Sequence, residues 1–519
     1  MKGDSMVGVR PFSSALALMS AAALASVLAG CAVGPDFQKP EGPRAETYLP
    51  EQKSDLVDGG IPGGEAQRLV QGMAIPGQWW GVFQSPPLNS LIERSLSANP
   101  DIRAAAASLR VAKLNALAQR ATLFPAIQAG FGASQNQTSQ VLQSLPVNQN
   151  SIFGLFTAGL SISYALDLWG GNRRQIESLE ALAEAQCFQL EGAYLSLASN
   201  VVAAAIGEAA LRGQVEATRR IIAAQRETLG ILQGQSGLGA IPGADVATQQ
   251  AALAQAETIL PPLEKALAQQ RNLLAGLTGR LPNDPPAERF ELADLKLPQQ
   301  LPLSLPSKLV EQRPDVRAAE ANLHSAGALV GVAIANQLPQ ITISLGVSSQ
   351  SLTSGSLFGP GLMSSNAGVS ILQTVIDGGA LSAKKKAAQA GLEQADAQYR
   401  STVIGAFRNV ADTLNALEYD ALTLRAAVAS EQAAATSLQI ARRRLDLGDT
   451  TYVFVLIAEL AYQQALTTRI QAQAGRLTDT AALFQALGGG WWNRLPGDPA
   501  AGLTPRCTPP LSPHLLSQR

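Results

Sequence analysis

The sequence predicts a mixed α+β membrane protein in which a few membrane-crossing strands adjoin very long helices. Two segments lying 214 positions apart nearly repeat one another, NPDIRAAAASL from Asn99 and RPDVRAAEANL from Arg313. Each is followed by a stretch that alternates apolar and small polar residues. Each alternating stretch then gives way to a long proline-free run, Gln175 to Gln235 and Leu381 to Asp446.

The repeat extends beyond its two opening segments. With no gap, Pro125 falls on Pro339, Ile127 on Ile341, Gly132 on Gly346 and Ser134 on Ser348. Matches in one register mark an internal duplication, so the two halves are expected to build equivalent parts. The first repeat is drawn over 88–306, with a hairpin at 125–168, a long helix at 172–235 and a return helix at 244–279. The second is drawn over 307–492, with a hairpin at 339–376, a long helix at 381–446 and a return helix at 452–487.

The strands come from period-two patterning. In FTAGLSISYALDL, Phe156, Ala158, Leu160, Ile162, Tyr164, Leu166 and Leu168 share one face, and Thr157, Gly159, Ser161, Ser163, Ala165 and Asp167 share the other. Ile341, Ile343, Leu345 and Val347 repeat the design, and a fourth, weaker strand is expected around Gly368 to Ile376. A soluble half-buried sheet alternates in the same way. The strand length, near the roughly ten tilted residues that cross hydrocarbon, favours an outer-membrane barrel. Four strands cannot close, and open edges in lipid leave backbone groups unpaired. Several chains must therefore share one barrel: two would make eight strands and three would make twelve.

The helices come from length and heptads. A helix of about sixty residues is about 90 Å long at 1.5 Å per residue and needs coiled-coil support. Val246, Leu253, Leu260, Leu267 and Leu274 recur every seven residues on the first return helix, with Leu263 and Leu277 beside them. Leu456, Ile470, Leu477 and Phe484 do the same on the second, with Gln463 in the gap. Such seams join neighbouring helices. Pro261 and Pro262 are expected to kink the first return helix, because each removes a backbone donor.

Composition excludes other classes. The 519 residues carry a net charge of −1 with 15% charged residues, which offers no basic face for nucleic acid. Two histidines (His324 and His514) and three cysteines (Cys31, Cys187 and Cys507) provide no metal-ligand spacing and no Cys-x-x-Cys pair. Cys187 reads as a small buried apolar residue. Asp101 and Asp315 follow prolines and read as helix N-terminal residues, so no convergent catalytic site is visible.

The N-terminus reads as a secretion signal over 1–30, with Lys2 and Arg10 before the apolar run Ala15 to Leu28. The run ends in Leu28-Ala29-Gly30-Cys31, which resembles a bacterial lipoprotein processing site. That likeness makes Cys31 the lipidated residue, and Ala32 after it suggests sorting to the outer membrane. Past Cys31 no run of 18 apolar residues occurs, so no transmembrane helix is expected and any crossing must use strands. The linker (32–75) and the tail (493–519) are expected to be extended or disordered.

The landmarks CAVGPDFQKP, WWGVFQSPPLNSLIERSLSANPDIRAA, ISYALDLWGGNRR, RPDVRAAEANLHSAGALVGVAIANQLPQI, VIDGGALSAKKK and ALFQALGGGWW, in this order, resemble the TolC-like outer-membrane factors, specifically their lipid-anchored NodT-type branch. The resemblance runs from Cys31 to Trp492. It implies a homotrimer with a twelve-stranded barrel, a periplasmic helical tunnel and an equatorial segment within 31–87. It also implies a passive exit duct with no cofactor beyond the lipid (palmitate) on Cys31. The implied partners are a periplasmic adaptor, a proton-driven (RND-type) inner-membrane pump and outer-membrane lipid, with small toxic compounds as cargo. By position, the periplasmic gate would involve Asp245, Thr450, Tyr452, Phe454 and Ile457, and the adaptor would meet the turns at Leu238, Gly239, Leu447 and Gly448. Where relatives place acids after the second turn, this chain has Phe454 and Ile457; the nearest acid is Glu459, while Asp245 keeps its place in the first half. An apolar constriction is therefore expected, against the reading that Phe454 packs in the helix seam. Type I protein secretion and a non-conducting structural lipoprotein are the rival functions.

Overall fold

The computed structural model describes residues 32–51, 54–137, 152–494 and 507. Cys31, the signal segment 1–30 and nearly all of the tail lie outside the described residues. The chain divides into two compact units, 1–39 with 110–183 and 321–397, and 40–109 with 184–320 and 398–519.

The first unit holds a four-stranded antiparallel sheet in the order β3-β4-β6-β7: Ala126–Gln137, Ile152–Leu166, Gln340–Ser351 and Met363–Leu372. Its register sorts the side chains into two faces. Ile127, Ile162, Leu345 and Ala367 line up across all four strands, and Leu166, Ile341 and Ile371 line up across three. The opposite face carries Gln128, Ser161, Gly346 and Asn366 in one row and Gly130, Gly159, Ser348 and Ser364 in another. Ile127, Phe131, Leu160, Leu345, Val369 and Ile371 are all exposed. A contiguous apolar face left uncovered in this way is suited to a medium other than water. The fourth strand begins at Met363 and ends at Leu372, earlier than the alternation of 368–376 suggested, because β6 spans Gln340–Ser351 and pairs with it from Ser349↔Met363 to Gln340↔Leu372.

Residues 33–37, within the stretch expected to be extended or disordered, are held by several contacts in this unit. Val33 N–H donates to Trp169 O at 3.1 Å, and Arg174 holds Val33 O at 3.2 Å and Asp36 at 2.6 Å. Gly34 lies so close to Gly331 that a Cβ would sit 2.4 Å from its Cα, a contact only glycine allows. Phe37 stacks on His324 at 4.3 Å.

The second unit holds a small sheet in which β1 (Asp55–Leu56) pairs antiparallel with β2 (Gln67–Gln71), and β2 pairs parallel with β5 (Gln300–Leu303). Strands at Asp55–Leu56 and Gln67–Gln71 thus lie within the stretch expected to be extended or disordered. The helices are α1 (Pro86–Ala98), α2 (Pro100–Arg120), α3 (Gly171–Gly237), α4 (Gly243–Leu277), α5 (Pro306–Gln312), α6 (Pro314–Ala335), α7 (Ala380–Asp446) and α8 (Tyr452–Ala486). The long helices α3 and α7 have 67 residues each, and α4 and α8 have 35 each. Helix α4 continues through Pro261 and Pro262, so the missing donors do not end it.

Two further expectations change. Helix α3 is long and apolar enough to cross a membrane by composition, where the sequence suggested that none was, but about two-thirds of its apolar stretch is buried inside the fold (67%). Its alanines, among them Ala198, Ala204, Ala205 and Ala209, permit close helix packing. Cys187 is not a free buried thiol; it is disulfide-bonded to Cys507.

Arg476 of α8 is fully buried in this unit. Its guanidinium donates to Gly64 O at 2.8 Å, Glu65 O at 2.7 Å, Val57 O at 3.3 Å and Gln67 Oε1 at 3.3 Å. One delocalised cation thus satisfies carbonyls of a segment that has few partners of its own.

Candidate functional site

The long helices reverse at two turns built on one plan. At the first, Gly239 N–H donates to Ser236 O and Ala240 N–H to Gln235 O, both at 2.9 Å. At the second, Gly448 N–H donates to Leu445 O and Asp449 N–H to Arg444 O, again at 2.9 Å. This paired capping pattern needs a left-handed residue, and both glycines have φ of 73°. The residues before them, Leu238 and Leu447, are 87% and 75% exposed, so each turn presents a leucine to its surroundings.

After the turns the two return helices differ. Asp245 opens α4, half-buried in its first turn, where the helix dipole favours a carboxylate. No acid stands in the first turn of α8. Thr450 is half-buried just ahead of it. Tyr452, Val455, Leu456 and Glu459 point inward on α8, whereas Val453, Phe454, Ile457 and Leu460 are exposed. Phe454 is 61% and Ile457 58% exposed, so neither packs in a seam within the chain. Spacing of three places Phe454, Ile457 and Leu460 on one stripe.

The inward side is joined by hydrogen bonds between helices. Tyr452 Oη donates to Gln249 Oε1 at 2.6 Å, and Gln249 Nε2 donates to Gln225 O at 2.9 Å, linking α8, α4 and α3. Burial pushes the Tyr452 phenol above its ordinary pKa. Leu232, Leu438, Val455 and Leu456 pack around it. Glu459 is buried and accepts from Arg442 at 2.8 Å, so the first acid of α8 is turned away from the exposed stripe.

Of the positions singled out in sequence, Leu238, Gly239, Leu447, Gly448, Phe454 and Ile457 are thus exposed, while Tyr452 braces the seam behind them. Sequence reasoning missed the Tyr452–Gln249 bond, although a glutamine among apolar heptad residues was the available signal. Among the described residues no three His, Cys, Asp or Glu side chains gather to hold a metal.

An uncovered apolar sheet joined in one chain to hairpins of 67- and 35-residue helices defines an outer-membrane channel protein. The profile of the outer membrane efflux protein family matches residues 91–280 and 305–489, and the chain belongs to that family. It is 29% identical over 435 residues to the pyoverdine export outer membrane protein OpmQ of Pseudomonas putida, covering 83% of this chain and 92% of the relative. It is 28% identical over 488 residues to the toluene efflux pump outer membrane protein TtgC of the same species, covering 92% and 96%. The open-state MtrE channel of Neisseria gonorrhoeae superposes with a TM-score of 0.75 at 25% identity, covering 89% of this chain and 99% of that one. The protein is a channel and not an enzyme: the outer-membrane exit duct of a tripartite efflux system, with a periplasmic adaptor and an inner-membrane pump as partners.

Proposed function

We propose that three copies share one twelve-stranded barrel and that the duct is gated by an apolar constriction of Phe454 and Ile457. Among the described residues β3 and β7 are the edges of the four-stranded sheet, and an open edge in hydrocarbon leaves backbone groups unpaired. Pairing β3 of one copy with β7 of the next removes both edges. The equal lengths of α3 and α7, and of α4 and α8, support two internal repeats that contribute one helical hairpin each to the shared tube. Cys31, outside the described residues, would carry acyl chains that hold the N-terminus on the outer membrane, at about 0.8 kcal/mol per buried methylene.

The observation that carries the gate is the exposed stripe of Phe454 and Ile457 on a helix whose first acid, Glu459, is buried. Rings of apolar side chains close a narrow pore by excluding water. Replacing both residues by alanine is expected to raise the closed-state conductance in planar bilayers and to sensitise cells to bulky antibiotics. Unchanged conductance sinks the constriction.

The turns at Leu238-Gly239 and Leu447-Gly448 are proposed to meet the periplasmic adaptor; the names of the relatives favour small organic cargo, and the pump that drives it is proposed to be proton-coupled. Crosslinking from Gly239 and Gly448 in cells tests this. Capture of an adaptor from a drug or solvent pump supports it, whereas capture of a protein-secretion adaptor keeps the duct and changes the cargo.

A further inference from the structure

We propose that the Cys187–Cys507 disulfide braces the segment after α8 against α3, while Cys31 takes no part in thiol pairing. The two Cα atoms are 5.8 Å apart across a sequence separation of 320 residues, within the span that a disulfide bridges. Cys187 is buried on α3. The chain leaving α8 already lies along the same turns of that helix. Trp491 meets the Phe188 ring edge-on at 5.8 Å, Arg494 pairs with Glu191 at 2.6 Å, and the Arg494 guanidinium sits over the Tyr194 ring at 5.4 Å. Noncovalent contacts at 188–194 and a covalent one at 187 therefore act on one stretch of α3.

Cysteine count supports the assignment. The chain has three cysteines. If Cys31 is acylated, two remain, and the fold brings those two together. Formation removes two protons and two electrons from the thiols. A periplasmic thiol–disulfide exchange protein accepts them as its own disulfide becomes a dithiol. The brace sits at the end of α8 opposite Phe454. On the gate reading proposed above, movement at the gate end then pivots about a fixed far end. The bond itself does not depend on that reading.

The test uses the full-length protein purified from membranes, blocked with N-ethylmaleimide in denaturant and digested with trypsin without reduction. The expected product is peptide 175–212 joined to peptide 507–519, split by reductant. Recovery of either cysteine as its maleimide adduct, or of a linkage through Cys31, overturns the proposal. Cys187→Ser and Cys507→Ser should each speed tryptic cleavage after Arg494 in the native protein at least tenfold, and the double variant no further. An unchanged rate in Cys507→Ser would show that the bond braces nothing. Conductance of Cys507→Ser separates the two readings. A normal linkage in the parent protein with gating unaltered in the variant retains the brace and removes only its role as a pivot.

Discussion

Helices α4 and α8 have the same length, 35 residues, and occupy equivalent places after equivalent turns, yet they are buried to opposite degrees. Helix α4 buries only Gln249, Ala256, Leu274 and Ala275, whereas α8 buries residues along its whole length, including Arg476, Gln473 and Glu459. The heptads alone do not distinguish them. What distinguishes them is the chemistry between the heptad positions: α4 carries polar and charged residues that water can solvate, and α8 carries polar residues that already have partners. A helix with one covered stripe tolerates Pro261 and Pro262, since the carbonyls left unpaired at Glu257 and Thr258 are near solvent. A helix buried on most sides has no such outlet.

Arg476→Ala should break this contrast most forcefully. It takes the guanidinium donor from the carbonyls of Glu65 and Val57, leaves Gly64 O with the Gly59 N–H alone, and opens a void in a packed interior, for a loss of about 3 kcal/mol or more. Leu267, which lies 209 positions earlier at the corresponding place in α4, is only half-buried, and Leu267→Ala should cost about 1 kcal/mol or less. Urea midpoints of the detergent-solubilised variants measure both. Equal losses would mean that the two helices are covered alike in the assembled protein.

A smaller effect with a definite sign is expected at Asp479. Burial, then the hydrogen bond and charge of Asp420, push its pKa from 3.8 up to about 7; the buried Arg476 guanidinium lies near enough to Asp420 to feel its charge. Between those values the folded chain holds a proton that the unfolded chain has released. The proton's contribution is therefore present at low pH and lost as pH rises through about 7. Asp479→Asn should match the parent near pH 4 and exceed it near pH 8 by about 1–2 kcal/mol, allowing for partial exposure. The equivalent place in α4 is Gln270, an amide that donates to Ala204 O at 2.9 Å. A stability gain that does not depend on pH would remove the titration from the account.

Tyr452→Phe should cost about 1 kcal/mol, since it leaves Gln249 Oε1 buried without its donor. The position 209 earlier is Gly243, so the first half has no equivalent bond. Combining Tyr452→Phe with Gln249→Leu should cost less than the sum of the two changes.

How far the fold could be read in advance follows from the same physics. Period-two alternation named β3, β4 and β6 closely, because each strand has one uniformly apolar face. β7 was misplaced since Ser364, Ser365 and Asn366 blur its alternation, and only pairing with β6 sets its bounds. The long helices and their turns were legible from proline-free length and from Gly239 and Gly448. The order of residues 33–37 and 55–71 was not, because it rests on distant partners such as Arg174, Gln299 and Arg476, which no local pattern announces. Sequence left Phe454 open between a constriction and the helix seam, and the inward turn of Tyr452 required knowing where Gln249 lies.

The smallest expected effect is at the seam of α3 with α4. Arg219 pairs with Glu264 and Arg226 with Glu257, each at 2.6 Å and each between side chains more than 40% exposed. Exposed pairs contribute little, so Glu264→Gln should change stability by less than about 0.5 kcal/mol and by still less at high salt. Glu431→Gln, which breaks a more enclosed pair with Arg469 at 2.5 Å, should cost roughly 1 kcal/mol. If Glu264→Gln costs as much as Glu431→Gln in the membrane-extracted protein, the outer face of α4 is not solvated there. Another copy of the chain would then be covering it, and the contrast with α8 would belong to the single chain and not to the assembled duct.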